Sequence, residues 1–483
     1  MTSLSAASGA STGTGVSALA AMAAAARARA PASAVQEAPS PSAVVTVANA
    51  PLAPSMVYAR PVPAWAFAPT DAISGLMAPN YGRGTQEGLA GQWHGLGGAL
   101  LSQLAQAGGQ PYSYRQAFVP QADGTQPLDD QLRGVPFGAA TVSLRLQTRS
   151  GQTVALQIAV NNGDKGGTKG MEVEISSSGA LSGAERQALA ALSGGLDRVL
   201  DGLGKGDTPR LALEDLLGYD ASVFSGLSLE VANPAPKAAI ASFALQLGDQ
   251  EKTLSLQGAV GRMSVRLDAA PPLQSADAQQ RQAAVAQLLR QVDAAAARSH
   301  AGDQLVDLFK SGFAQMHGVA GDGAGAVRLL GSALADKVQP LLSGLADFDA
   351  SFEGDFSRSN RYGTLTEEGH AAYQLDQRTE VKKADAVRGD ASIVQTQTER
   401  LDAHYLQGHL GGMLDTKNGN YDRYTIHDSS TIATLIEALD GQLVSARRQV
   451  EKSRLEVFER LVQHKVQEHR ETPENGRSDR SLL

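Results

Sequence analysis

The sequence predicts an α+β protein built on a duplicated βββα unit, in which an antiparallel meander is followed each time by a helix. Three observations lead there: a hairpin with one apolar face, its near-repetition about a hundred residues later, and a helix start after each copy. In the first copy Val142, Leu144 and Leu146 alternate with polar residues, Arg149-Ser150-Gly151-Gln152 turns the chain, and Val154, Leu156, Ile158 and Val160 alternate again. A third strand follows at Met171, Val173 and Ile175. Ser182 and Glu185 then stand at capping-box spacing, ahead of Leu189, Leu192, Leu196, Val199, Leu200 and Leu203 on one helical face.

The second copy answers the first in order and partly in identity. Phe243, Leu245 and Leu247 alternate, Gly248 to Glu251 turns, and Thr253 to Val260 parallels Thr153 to Val160. Met263 to Leu267 parallels Met171 to Ile175, and Arg281-Gln282-Ala283 parallels Arg186-Gln187-Ala188 in the helices. Two such units are expected to pack with pseudo-symmetry, apolar face on apolar face. Leu211 to Leu217 and then Leu227, Leu229 and Val231 supply a short helix and one more strand between the copies.

Around this centre the chain divides into four parts. Residues 1–85 read as a disordered leader of Ala, Ser, Thr, Gly and Pro, which offers too little apolar surface to offset the entropy of ordering. Residues 86–270 open with a helix carrying Leu89, Trp93, Leu96, Leu100 and Leu104, and hold the duplicated core; 271–350 is helical. Past residue 350 charged residues become about twice as frequent, which marks the start of a module at 351–483. Polar strands are expected there at Phe352 to Phe356, Ala372 to Val381 and Ser392 to Tyr405, and Asn418-Gly419 predicts a hairpin joining Met413-Leu414 to Tyr421–Ile426. A long helix capped by Asp428 or Ser429 should follow, because Ile432, Ile436, Leu439, Leu443, Ala446, Val450 and Val457 recur at near-heptad spacing.

Composition narrows the chemistry. The 483 residues hold no cysteine, which removes disulfides, zinc-thiolate sites and thiol nucleophiles together. The net charge of −8 argues against a nucleic-acid partner. No run reaches the length of a membrane span, and no basic segment precedes an apolar one as in a secretory signal peptide. The leader has the acid-poor, Ser/Ala-rich look of a leaderless export signal, so the location stays between cytoplasmic and exported.

No phosphate-binding loop, nucleophile elbow or paired-histidine motif occurs, so no catalytic, cofactor or metal residue is assigned. His427-Asp428-Ser429-Ser430 has the letters of a triad, but neighbours in sequence point apart. Asn161, Asn162 and Asp164 form one Asx-rich turn; Asp415, Asn418, Asn420 and Asp422 form another, with oxygens of the kind calcium takes. Ordinary tight turns demand the same residues. Leu439, Leu443, Val450 and Val457, on the expected terminal helix, are the candidate partner-binding residues, toward a protein partner or a second copy of the chain.

Residues 140–231 resemble an uncharacterised domain of bacterial proteins, some of them surface- or flagellum-associated. The hairpin Val142–Val160, the passage Glu172-Val173-Glu174-Ile175 to Leu181-Ser182, and Gly218-Tyr219-Asp220 with Leu227-Ser228-Leu229 carry the resemblance. It implies no active site. The expectation is a non-catalytic bacterial structural or interaction protein, exported or tied to envelope or flagellar assembly. The alternative is an intracellular enzyme or small-ligand binder.

Overall fold

The computed structural model describes residues 63–483 except 109, 164, 270–272, 276 and 319–323. Most of the expected leader lies outside the described residues, as does Asp164. Ordered helix begins at Ala72, within the expected leader, where the Asp71 carboxylate accepts the Ser74 N–H at 2.8 Å and caps it.

Fifteen strands and nine helices follow one another among the described residues. The first part runs β1 (Ala64–Trp65), α1 (Ala72–Trp93), α2 (Leu96–Gln106), β2 (Ser113–Val119), α3 (Leu128–Gly134), β3 (Ala140–Thr148), β4 (Thr153–Asn161), β5 (Gly170–Ser177), α4 (Gly183–Leu203) and α5 (Glu214–Leu217). The middle comprises β6 (Phe224–Ala232), β7 (Ser242–Gly248), β8 (Glu251–Gly258), β9 (Gly261–Asp268), α6 (Ala278–Ser299), α7 (Asp303–His317), α8 (Ala324–Leu330) and α9 (Ser332–Val338). Strands alone finish the chain: β10 (Phe348–Ser359), β11 (Leu365–Asp385), β12 (Asp390–Gln407), β13 (Tyr421–Leu439), β14 (Gln442–Val462) and β15 (Lys465–Ser481).

All fifteen strands belong to one antiparallel sheet, ordered β1-β2-β5-β4-β3-β6-β7-β8-β9-β10-β11-β12-β13-β14-β15. Register pairs put one side chain per strand in line across it. Ile175, Leu156, Leu144, Leu229, Leu245, Leu254, Val265, Ala350 and Leu375 form such a row, and every member is buried. The adjacent row runs Val173, Ile158, Val142, Val231, Phe243, Leu256, Met263, Phe352, Tyr373 and Leu401, also buried. Helices α1, α2 and α4 cover this face over the first strands, and α6 and α7 continue the layer toward β12. The opposite face carries Gln157, Ser143, Glu230, Ala244, Ser255, Ser264 and Ser351 in line, the alternation of a sheet packed on one side.

The fold corrects the expected α+β arrangement in two places. The two meanders are not separate units packed face to face. They lie edge to edge in the same sheet on either side of β6, with both apolar faces toward the helices. In each, the helix arginine reaches back to the preceding loop: Arg186 donates to the Leu181 carbonyl at 2.7 Å, and Arg281 to that of Ser275 at 2.6 Å.

The second correction is larger, because the C-terminal long helix does not exist. Residues 421–462 form β13 and β14, joined at Asp440-Gly441, where both residues take positive φ (50° and 73°). That dipeptide is a strong hairpin signal, and it stands in the middle of the apolar stripe whose spacing predicts a helix. Asp428 and Ser429 accordingly cap nothing. The turn is braced from beside: Gly441 N–H donates to the Gly389 carbonyl at 3.0 Å, and Gly389 itself has φ 74°. A Cβ at Gly389 would stand 2.5 Å from the Gly441 nitrogen, so this approach of two turns requires glycine.

One core group titrates within reach of ordinary buffers. His317, at the end of α7, is fully buried against Phe313 and Phe348, with ring centroids 4.2 and 5.1 Å away. Its Nδ1–H donates to the Phe313 carbonyl at 2.9 Å, and its Nε2 has no partner. Burial pushes its pKa down from 6.5 to about 4. The unfolded chain therefore takes up a proton first as pH falls, and stability is lost between those two values. Melting curves at pH 7 and pH 4.5 should show a larger fall for the wild type than for His317→Leu. Equal falls would mean that His317 is charged in the fold.

Candidate functional site

Helix α6 is alanine- and glutamine-rich and strongly helix-forming. Asp277 caps it, accepting the Gln279 N–H at 2.9 Å. Arg281, Leu288, Val292, Ala295 and Ser299 form its buried stripe, while the short side chains beside them leave room. A groove consequently runs between α6 and strands β12–β14, in two adjoining hollows of ≈ 350 and ≈ 440 Å³. Ala283, Ala284, Gln287 and Gln291 form one wall; Ile432 and Val450 give an apolar floor at one end, and Ser430 and Lys452 a polar one at the other.

The groove exists because the apolar rows stop. Beyond Leu375 the first row continues as Glu399, Ser430, Lys452 and Gly476; beyond Leu401 the second continues as Asp428, Arg454 and Glu474. A charge knot replaces packing at this border. Arg298 of α6 donates to both Asp428 oxygens at 2.6 and 3.3 Å and to Glu456 at 3.2 Å. Partial burial works against its charge, but the two carboxylates more than offset that and raise its pKa. Arg290 and Lys452 line the same groove with no ion pair among the described residues, so its mouth is electropositive.

Glu399 sits at the bottom and accepts the Tyr373 hydroxyl at 3.2 Å. Burial raises its carboxyl pKa, and the Tyr373 bond together with Lys452 and Arg454 only partly counters this. Farther along β12 to β14, Tyr405 stacks on Tyr424 at 4.6 Å and Tyr424 meets Phe458 at a tilt at 5.2 Å, with the Arg470 guanidinium 5.1 Å from the Phe458 ring centre.

The triad-like letters of His427-Asp428-Ser429-Ser430 do not converge. His427 Nδ1 meets Asp402 at 2.6 Å, while Asp428 turns to the helix side and Arg298. Ser430 in the groove therefore has no histidine beside it among the described residues. The arrangement suits recognition of carboxylates and amides.

The residues singled out from sequence scatter. Leu443 packs into a small second core with Leu334, Val338, Ile393 and Ile436, and Val450 floors the groove. Leu439 is 52% exposed and lies with Val457 on the other face. The four make no common stripe. In the Asn-Gly loop, Asp415 accepts the Asn418 N–H and the side-chain amides of Asn418 and Asn420 at 3.0–3.1 Å. Asp422 instead receives Arg460 at 2.9 and 3.1 Å. The loop's carboxylates are thus filled by donors, and only Gly419 there takes positive φ. Asn161 is buried and donates to the carbonyls of Val135, Phe137 and Gly166, which staples two loops together.

No family model, curated protein or solved structure matches the chain. The site has to be read from its own chemistry. No helix among the described residues is long and apolar enough to cross a membrane.

A raised carboxyl pKa in the fold means that the native state binds the proton more tightly. Stability contributed at Glu399 therefore falls as pH rises from the unfolded value through the folded one. Glu399→Gln should melt higher than wild type at pH 7, with the gap closing as pH drops through the carboxylate range. A lower melting point at pH 7 would show instead that the charged form is needed.

Proposed function

We propose that the protein is a non-catalytic interaction protein whose partner surface is the C-terminal part of the sheet. One observation carries this reading: past β12 the helical layer thins, with α6 tied to β13 and β14 through Arg298 and α9 packed on their hairpin end, and β15 is left uncovered. Strands β13, β14 and β15 are 19, 21 and 17 residues long, and β15 is exposed on every residue. A strand exposed on both sides adds almost no hydrophobic stabilisation, which follows the apolar area buried. Its length is therefore better explained by something it meets outside the chain. The electropositive groove beside it adds a polar rim of the kind interfaces use.

The resemblance of residues 140–231 to bacterial domains, some tied to surface or flagellar structures, supports placing this interaction in an envelope or flagellar assembly, with or without export. Supporting it are the exposed sheet and the arginine-paired carboxylates Asp428, Asp422 and Glu459, and among the described residues no pairing of nucleophile and base speaks for the enzymatic alternative.

A photocrosslinking residue placed in the producing cell at Ser453 of β14 or Ser478 of β15 should yield discrete adducts. The same residue at exposed Ala191 of α4 should yield none. Adducts from Ala191 alone, or none from the two strands, would overturn the assignment.

A further inference from the structure

We infer that β15 pairs edge to edge with β15 of a second copy, antiparallel and centred on Glu474, so that two sheets become one. This rests on the reading of the C-terminal sheet as a partner surface, and it names the partner.

The backbone decides which groups are free to pair. β15 has β14 on one side and, among the described residues, no strand on the other. Just past it, Leu482 N–H donates to the Ala446 carbonyl at 2.8 Å. Backbone groups alternate along an antiparallel ladder, so even-numbered residues from 468 on turn toward β14. The odd-numbered ones from His469 to Ser481 present their C=O outward and, except for Pro473, their N–H, so the pairing forgoes one bond to Asn475 in each copy. Pro473 is odd-numbered and lies opposite Leu455, so its missing N–H costs the β14–β15 ladder nothing.

The side chains then choose a register. A two-fold axis at Glu474 sets Glu471 against Arg477, His469 against Asp479, and Glu468 against Arg480, each pair occurring twice by symmetry. Only Glu474 meets its own kind, and Arg454 of the same chain stands 3.9 Å from it. Thr472 meets Gly476, where a side chain has open space. Centring the pairing on Asn475 instead sets Arg470 against Arg480 and Glu471 against Asp479, two repulsions. Centring it on Pro473 gives no opposite-charge pair. Opposite-sign cross-strand pairs stabilise a ladder and like-sign pairs oppose it, so the strand is complementary to itself in one register and not in its neighbours.

Charged residues and proline on an edge also serve to keep other chains away. The two uses predict different solution behaviour. Sedimentation equilibrium of the full chain up to about 100 µM, at low and at high salt, separates them. The expected result is a dimer weakened by salt. Glu471→Arg alone and Arg477→Glu alone should each weaken it by about tenfold or more, and the doubly reversed chain should recover most of the loss. Circular dichroism and melting curves check that each variant folds, as expected for side chains 61% and 79% exposed. A monomer throughout the range, or a dimer indifferent to both reversals, or no recovery in the double variant, overturns the pairing. Adducts to a different protein from Ser453 or Ser478, alongside a monomer, would leave the interaction surface standing and remove only the second copy.

Discussion

Cross-strand register on one face of the sheet is the constraint from which the rest of the molecule follows. Each antiparallel pair aligns one side chain directly with its neighbour, and over β3 to β11 those side chains are Leu, Val, Ile, Phe, Ala, Met and Tyr. A continuous apolar floor results, and helices α1, α2, α4, α6 and α7 close it from one side. The floor also explains why the described residues, from 63 onward, form a single compact unit. Any cut between the meanders would run through a hydrogen-bonded ladder and a shared row of leucines.

The same register explains what happens when the composition changes. From β12 outward the two aligned rows become Glu399, Ser430, Lys452, Asp428 and Arg454, and apolar helix packing is confined to the hairpin end, where α8 and α9 cover Ile393, Ile436 and Leu443. The backbone ladder continues because it needs no particular side chain, whereas the helical layer thins and leaves β15 bare because it does. At the border Arg298 ties α6 to β13 and β14 by charge-assisted hydrogen bonds, which are stronger than neutral ones. The groove, the uncovered strand and the open edge are three consequences of one transition from apolar to polar rows.

Much of the central sheet could be read from sequence because its signals are local. The hairpin from Val142 to Val160 alternates strictly, and Ser182 with Glu185 does form a capping box. The C-terminal error is equally physical. In β13 the helix-side residues Asp428, Ser430, Ile432, Thr434 and Ile436 mix polar and apolar types, so period-two alternation is blurred. Apolar residues three and four apart then mimic a helical stripe, although odd spacings in a strand put them on opposite faces. Asp440-Gly441 could have corrected this; the Gln463-His464 turn, with φ of 52° and 62° but no glycine, could not. The groove was not legible at all. Its walls come from residues 280–298, 395–399 and 428–454, and only the register brings them together.

The central claim is that one apolar face holds the protein together and that the strands beyond it are supported mainly by their ladder and ion pairs. Native-state hydrogen exchange read peptide by peptide in rising denaturant, at sub-micromolar protein, tests this most directly. Peptides from β3–β5, β6–β9 and β10 should lose protection together in the global transition. Those from β14 and β15 should lose theirs at lower denaturant while the centre stays protected. A single transition shared by all strands, or a C-terminal sheet that outlasts the centre, would contradict the account.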